Sequence, residues 1–261
     1  MKLFSVLAII ILTLAGTTQA QIHTETVEYK IGNDTFEGYL AYDQAVQGKH
    51  PGVVISHEWT GPREYERMRA KQLARLGYVA FVPDIYGKTV RPQTPQEAAA
   101  ESGKYRNNRP LMRERARAGL EQLRMNKLVD PTRIAAIGYC FGGTVALELA
   151  RSGADIAGVV SFHGNPSTPN PDDGKNIKAR VLVLHGAADP NVPQEALTSF
   201  QQEMDAARVD WQMVMYGGAV HGFSNPKNTG DPSTGVAYNE AADRRSWEDM
   251  KLFFDEIFKQ Q

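Results

Sequence analysis

The chain has 261 residues, a formal net charge of -1, 42% hydrophobic residues and 23% charged residues. That balance excludes a disordered or fibrous chain. With no basic excess, a nucleic-acid surface is not expected, and a small molecule is the expected partner. The length suits one α/β domain.

Lys2 precedes an apolar run from Leu3 to Ala15, and Thr18-Gln19-Ala20 puts small residues where a signal peptidase reads. A secretory signal peptide is expected over residues 1–20, cut after Ala20, leaving one domain over 21–261. The run is shorter than the ~20 residues that cross a bilayer, so no stable membrane insertion is expected once the signal is removed. No cysteine lies near the cut, so a lipid anchor is not expected, and Arg244-Arg245 is too far along to be a twin-arginine signal. The expected location is outside the cytoplasm, periplasmic or secreted. The chain has a single cysteine, Cys140, so no disulfide can form within it. Such a thiol is either buried and inert or kept for its chemistry.

After the signal, His23–Lys30 and Thr35–Tyr42 alternate around Gly32-Asn33-Asp34 and predict an antiparallel hairpin. Buried strands are predicted over Pro51–His57, Tyr78–Val82, Arg133–Tyr139, Ile156–His163, Arg180–His185 and Asp210–Tyr216. Helices are predicted over Arg63–Leu76, Arg109–Lys127, Gly142–Arg151, Gln194–Ala207 and Tyr238–Phe258. Thr89–Asn108, Asn165–Ala179 and Asn225–Gly235 read as polar loops, either pocket walls or plain connections. Strands alternating with helices predict a mostly parallel sheet flanked by helices, with the hairpin as an antiparallel edge. Ligands then bind at the carboxyl ends of the strands.

Those ends carry the chemistry. Gly138-Tyr139-Cys140-Phe141-Gly142-Gly143 joins a strand to a helix and has the form G-x-S-x-G with cysteine in place of serine. A nucleophile on so sharp a turn needs glycines on both sides to relieve crowding. The helix N-terminus beside it favours a thiolate, and the Phe141 amide can face a developing oxyanion. An acid and a histidine are expected later in the chain. Asp189 follows the strand Val181–Leu184, although Asp189 equally suits an Asx turn or a cap before Pro193. His221 sits in the glycine-rich stretch Tyr216–Phe223, where packing gives no reason for it.

Gly-Tyr-Cys-Phe-Gly-Gly, His185-Gly-Ala-Ala-Asp189-Pro190 and His221-Gly-Phe, in this order, resemble the dienelactone hydrolase family of α/β-hydrolases, across nearly all of the mature chain. Val54–Gly61 and Pro83–Gly87 resemble its other landmarks. The resemblance implies an α/β-hydrolase fold, Cys140 as nucleophile, His221 as base and Asp189 as its orienter. It also implies that Glu58 contacts the resting thiol and that the backbone at Trp59 gives the second oxyanion donor. Relatives that open dienelactones hold the substrate carboxylate with two arginines; Lys88 and Asn225 stand in those places here. Lysine cannot make a bidentate clamp, so neutral esters are expected to be better substrates than anionic lactones.

Trp59, Phe141, Tyr86 and Phe223 flank these motifs and are expected to line the pocket with Lys88 and Asn225. No metal is expected: His57-Glu58 lacks a second histidine because position 61 is glycine, and the other histidines lack ligand spacing. No nucleotide fingerprint occurs, and no cofactor is expected. The expected activity is hydrolysis of an ester, lactone or thioester through an acyl-enzyme. The alternatives are a thiol-dependent acyltransferase or peptidase on the same fold, or a ligand-binding protein without turnover. The oligomeric state, monomer or dimer, is left open.

Overall fold

The structure is a computed structural model that describes residues 20–45 and 47–259. The expected signal peptide lies outside the described residues except for Ala20. Strands β1 (Ile22–Ile31) and β2 (Asp34–Asp43) form the expected hairpin, closing at Gly32, whose φ is 60°. They are followed by β3 (His50–Ser56), helix α1 (Glu64–Arg75), β4 (Val79–Val82), α2 (Pro95–Arg106) and α3 (Arg109–Arg124). Then come β5 (Val129–Tyr139), α4 (Phe141–Arg151), β6 (Gly158–Phe162), β7 (Arg180–Gly186), α5 (Gln194–Ala207), β8 (Trp211–Tyr216) and α6 (Glu240–Lys259). The strands make one eight-stranded sheet in the order β1-β2-β4-β3-β5-β6-β7-β8. Among the described residues only the β1–β2 and β2–β4 pairs are antiparallel. The expected α/β-hydrolase architecture is observed.

The apolar runs follow from burial on both faces of the sheet. Along β3, β5, β6 and β7 alternate residues face opposite layers. Val54, Ala136, Val159 and Val183 meet α2, α3, α4 and α5. Val53, Ile55, Ile137, Val160 and Leu184 meet α1 and α6. Each large apolar side chain buried in this way contributes about 1.5–3 kcal/mol.

The segment Thr89–Asn108 is not a loop, because it contains α2. Thr94 caps that helix, its hydroxyl accepting from the Glu97 amide at 3.2 Å, and Pro95 takes the first turn. The cap signature is in the sequence, but the buried stripe of Ala98, Glu101, Ser102 and Tyr105 is too polar to show as a helical period. The other two segments remain connections, each with one short 3-10 turn, at Pro171–Asn176 and Pro232–Thr234. Among the described residues no helix is long and apolar enough to cross a membrane.

Candidate active site

Cys140 stands between the end of β5 and the start of α4, with φ 54° and ψ -116°. This is the left-handed side of backbone space, where a residue with a side chain is strained. The flanking glycines are required by contact. A Cβ on Gly138 would lie 1.9 Å from the Gly142 carbonyl oxygen, and one on Gly142 would lie 2.1 Å from the Ser56 carbonyl oxygen. The turn therefore presses against the end of β3 and raises the thiol above the sheet. The Cys140 amide donates to the Phe162 carbonyl at 3.0 Å and to His163 Nδ1 at 3.1 Å.

His221 arrives from the loop after β8 and Asp189 from the turn after β7. His221 Nε2 lies 3.0 Å from Cys140 Sγ, and Nδ1 lies 2.8 Å from Asp189 Oδ2. The second Asp189 oxygen accepts from the Asn191 amide at 2.8 Å. Asp189 thus makes the Asx turn and faces His221 at once, so the two readings of this residue are compatible. The His221 loop is pinned by its own backbone: the His221 amide donates to the Gly235 carbonyl at 3.1 Å, and Asn228 Nδ2 donates to the Gly222 carbonyl at 2.8 Å.

Burial alone lowers the pKa of His221. The negative charge on the Cys140 sulfur and the hydrogen bond to Asp189 outweigh it and hold the imidazole at about 10. The arrangement therefore favours an imidazolium beside the sulfur. Burial pushes His163 well below its usual range, so its Nδ1 is free to accept from the Cys140 amide.

The loop from Glu58 to Arg63 forms the opposite wall. The Glu58 carbonyl lies 2.6 Å from His57 Nδ1, and the Trp59 carbonyl accepts from the Tyr86 hydroxyl at 2.8 Å. Burial lowers His57 to about 4, so the ring stays neutral; Nδ1 carries the proton given to Glu58, and Nε2 accepts from the Ile85 amide at 3.2 Å. Among the described residues, neither the Trp59 amide nor the Phe141 amide donates a hydrogen bond. Both residues line a cavity of about 560 Å3 that also holds Cys140, His221 and Glu58. A larger hollow of about 720 Å3 opens at the other end of the sheet, between Arg124, Asp155, Arg180 and Ile257. Neither a cysteine nor a histidine lines it.

Several expected site residues do other work. Lys88 is exposed and pairs with Glu28, because its amide donates to the Thr35 carbonyl at 2.9 Å and turns it towards the hairpin. Phe223 is fully buried against His163, with ring centroids 5.1 Å apart, and lies below the cavity. Tyr86 is buried behind the wall, where it holds Trp59. Asn225 is also buried, and its Nδ2 donates to Glu58 Oε2 at 2.9 Å. None of these four lines the cavity. In this arrangement the thiol meets His221, and Glu58 meets Asn225. Burial raises the pKa of Glu58, against the lowering effect of the Asn225 hydrogen bond.

The cavity wall includes residues the sequence did not single out: Arg106, Thr144, Asn165, Asn191, Val192, Asn228 and Val236. Arg106 is the last residue of α2. Its guanidinium lies 5.4 Å from the Phe141 ring centroid and donates to the Ser102 hydroxyl at 2.9 Å. The cue available was position: Asn165 and Asn191 lie shortly after β6 and β7. Among the described residues no cluster of histidine, cysteine and acidic side chains suits a metal.

The profile of the dienelactone hydrolase family matches residues 36–258. The chain is 39% identical to the structure of m3DLH, covering 90% of this chain and 98% of that one, with a TM-score of 0.87. It is 35% identical to the dienelactone hydrolase-like promiscuous phosphotriesterase P91 from metagenomic libraries, covering 92% and 99%, with a TM-score of 0.86. A dienelactone hydrolase from Anabaena variabilis is similar in fold, at 20% identity over 79% of this chain and 91% of that one, with a TM-score of 0.62. The chain therefore belongs to the dienelactone hydrolase family of α/β-fold hydrolases.

Proposed function

We propose that the protein is an exported carboxylic ester hydrolase with a Cys140–His221–Asp189 triad. The observation that carries this reading is the unbroken line from Asp189 Oδ2 to His221 at 2.8 Å and from His221 to Cys140 Sγ at 3.0 Å, opening into a cavity. The thiolate attacks the acyl carbon, and the carbonyl oxygen takes the charge. The Trp59 and Phe141 amides stabilise that oxyanion. His221 protonates the leaving alcohol as the tetrahedral intermediate collapses to a thioester on Cys140. It then takes a proton from water, which attacks the thioester and releases the acid and the thiol. Asp189 fixes the ring so that Nε2 faces the sulfur. No cofactor enters these steps.

Arg106 gives the cavity mouth a positive charge, which Lys88 and Asn225 do not supply. This shifts the expected substrate from neutral esters towards esters or lactones with an anionic group on that side. The Leu3–Ala15 run and Thr18-Gln19-Ala20 support export.

The test is hydrolysis of p-nitrophenyl acetate and butyrate by the parent and by Cys140→Ala. The parent turns over, and the variant, equally folded by circular dichroism, shows no turnover above background. Retained activity in the variant overturns the assignment.

A further inference from the structure

The loop that carries Trp59 is held by a buried carboxylate with no part in the chemistry above. Glu66, in the first turn of α1, is 1% exposed. Its Oε2 accepts from the Arg63 amide at 2.9 Å, the usual reach of a helix capping box. Its Oε1 reaches past the helix start and accepts from the Glu58 amide, also at 2.9 Å. One carboxylate therefore grips both ends of the Glu58–Arg63 loop. Capping the helix requires only the first contact; the second fixes the peptide that leads into Trp59.

The rest of the loop is tied in a complementary way. The Glu58 carbonyl meets His57, the Trp59 carbonyl meets Tyr86, and the Gly61 amide donates back to the Glu58 carbonyl at 3.2 Å. These bonds fix the peptide that carries the Trp59 amide and the peptide after it, and leave that amide without a partner among the described residues. Burial, and after it the neighbouring Glu58 carboxyl, push the pKa of Glu66 up to about 8, against the lowering effect of the Glu58 and Arg63 amides it accepts from. Burying a polar group so deeply is costly, and a cap alone does not call for it.

We propose that Glu66 is a positioning residue for the hydrolytic reaction: by bridging the Glu58 and Arg63 amides it aims the Trp59 amide at the acyl oxygen. This rests on the reading of Cys140 as nucleophile and the Trp59 amide as oxyanion donor. Glu66 does not line the cavity that holds Cys140. Its loss should impair transition-state stabilisation while leaving substrate binding and thiol reactivity in place.

The test compares the parent, Cys140→Ala, Glu66→Gln and Glu66→Ala with p-nitrophenyl butyrate, beside the rate of Cys140 alkylation by iodoacetamide, which needs no oxyanion donor. Glutamine offers one acceptor oxygen for two amides. The expected fall in kcat is about tenfold for Glu66→Gln and about a hundredfold for Glu66→Ala, the scale of a misaligned or lost oxyanion donor. KM and the alkylation rate should stay within about twofold of the parent, a margin set well below the tenfold that follows from losing one interaction of ~1.4 kcal/mol. If Glu66→Ala does not fold, Glu66→Gln, which keeps the length and volume, decides the question. Parental kcat in folded Glu66→Gln overturns the inference. So does a parallel loss of kcat and alkylation, or failure of Glu66→Gln to fold, since either makes Glu66 a general support of the site. Equal turnover by the parent and Cys140→Ala overturns the underlying reading instead, a result distinct from failure at Glu66, where turnover remains dependent on Cys140.

Discussion

At Cys140, His221 and Asp189 the backbone constrains sequence more tightly than packing does. The strained turn at Cys140 tolerates no Cβ at positions 138 or 142, so the glycines that mark the proposed nucleophile are those the geometry demands. Cys140 is legible in the sequence for that reason, and Asp189 and His221 by their order after the later strands. Their electrostatics lead to a stability prediction. His221 is held at about 10 against an ordinary value of 6.5. A group raised in this way contributes stability that is complete below about pH 6.5 and is lost as pH rises through about 10. Of the opposing causes, burial is the largest and lowers the pKa; the charge on Cys140 is the largest that raises it. Cys140→Ala removes that charge, so in the variant His221 is neutral at a lower pH. Between about pH 9 and pH 10.5 an unfolded thiol, with its ordinary value of about 8.5, is already ionised, so the titration of His221 dominates the difference between the two proteins. Melting temperatures measured across that range should fall more steeply in the parent than in Cys140→Ala. Parallel curves would show that the sulfur does not hold the proton on His221.

At the scale of elements, α2 is where the sequence reading fell short. A helix whose buried stripe is Ala98, Glu101, Ser102 and Tyr105 has no clear apolar period, so its sequence reads as a loop and gives no sign of Arg106 at its end. Lys88 and Asn225 were misplaced for another reason. Sequence position gives where the backbone passes, not where the side chain points. The Lys88 amide is bound to the hairpin, and Asn225 is turned inward onto Glu58. The charge of the cavity mouth therefore comes from Arg106. Because Arg106 is largely exposed, its effect is screened and modest. Replacing it with alanine should lower kcat/KM for the p-nitrophenyl ester of succinic acid by about fivefold, the order of 1 kcal/mol. The butyrate ester should change by less than about twofold, since it lacks the charge. Equal effects on both esters would mean that Arg106 shapes the cavity without reading charge.

At the scale of the molecule, the parallel part of the sheet fixes where function can lie. β3, β4, β5, β6 and β7 all end at one rim, and the side chains that follow them are Glu58, Asp84, Cys140, His163 and Asp189. The strand–helix alternation that revealed this order was plain in the sequence, because strands buried on both faces read as continuous apolar runs. The ion pair that ties α4 to α5 beneath the rim is not legible in the sequence, since it joins positions 52 residues apart. Fully buried Arg151 donates to both oxygens of Glu203, at 2.8 and 2.6 Å, and to Glu148 at 3.1 Å, locking α4 to α5 below the cavity. A site built on elements fastened in this way can hold its groups in fixed register.

In the proposed mechanism the acyl group passes through Cys140. Rapid-quench mass spectrometry during turnover of p-nitrophenyl butyrate tests it most directly. A burst of p-nitrophenol accompanied by a butyryl adduct that maps to the peptide bearing Cys140, and is absent from Cys140→Ala, is the result predicted here. Turnover that continues with Cys140 unmodified and persists in the variant would contradict it.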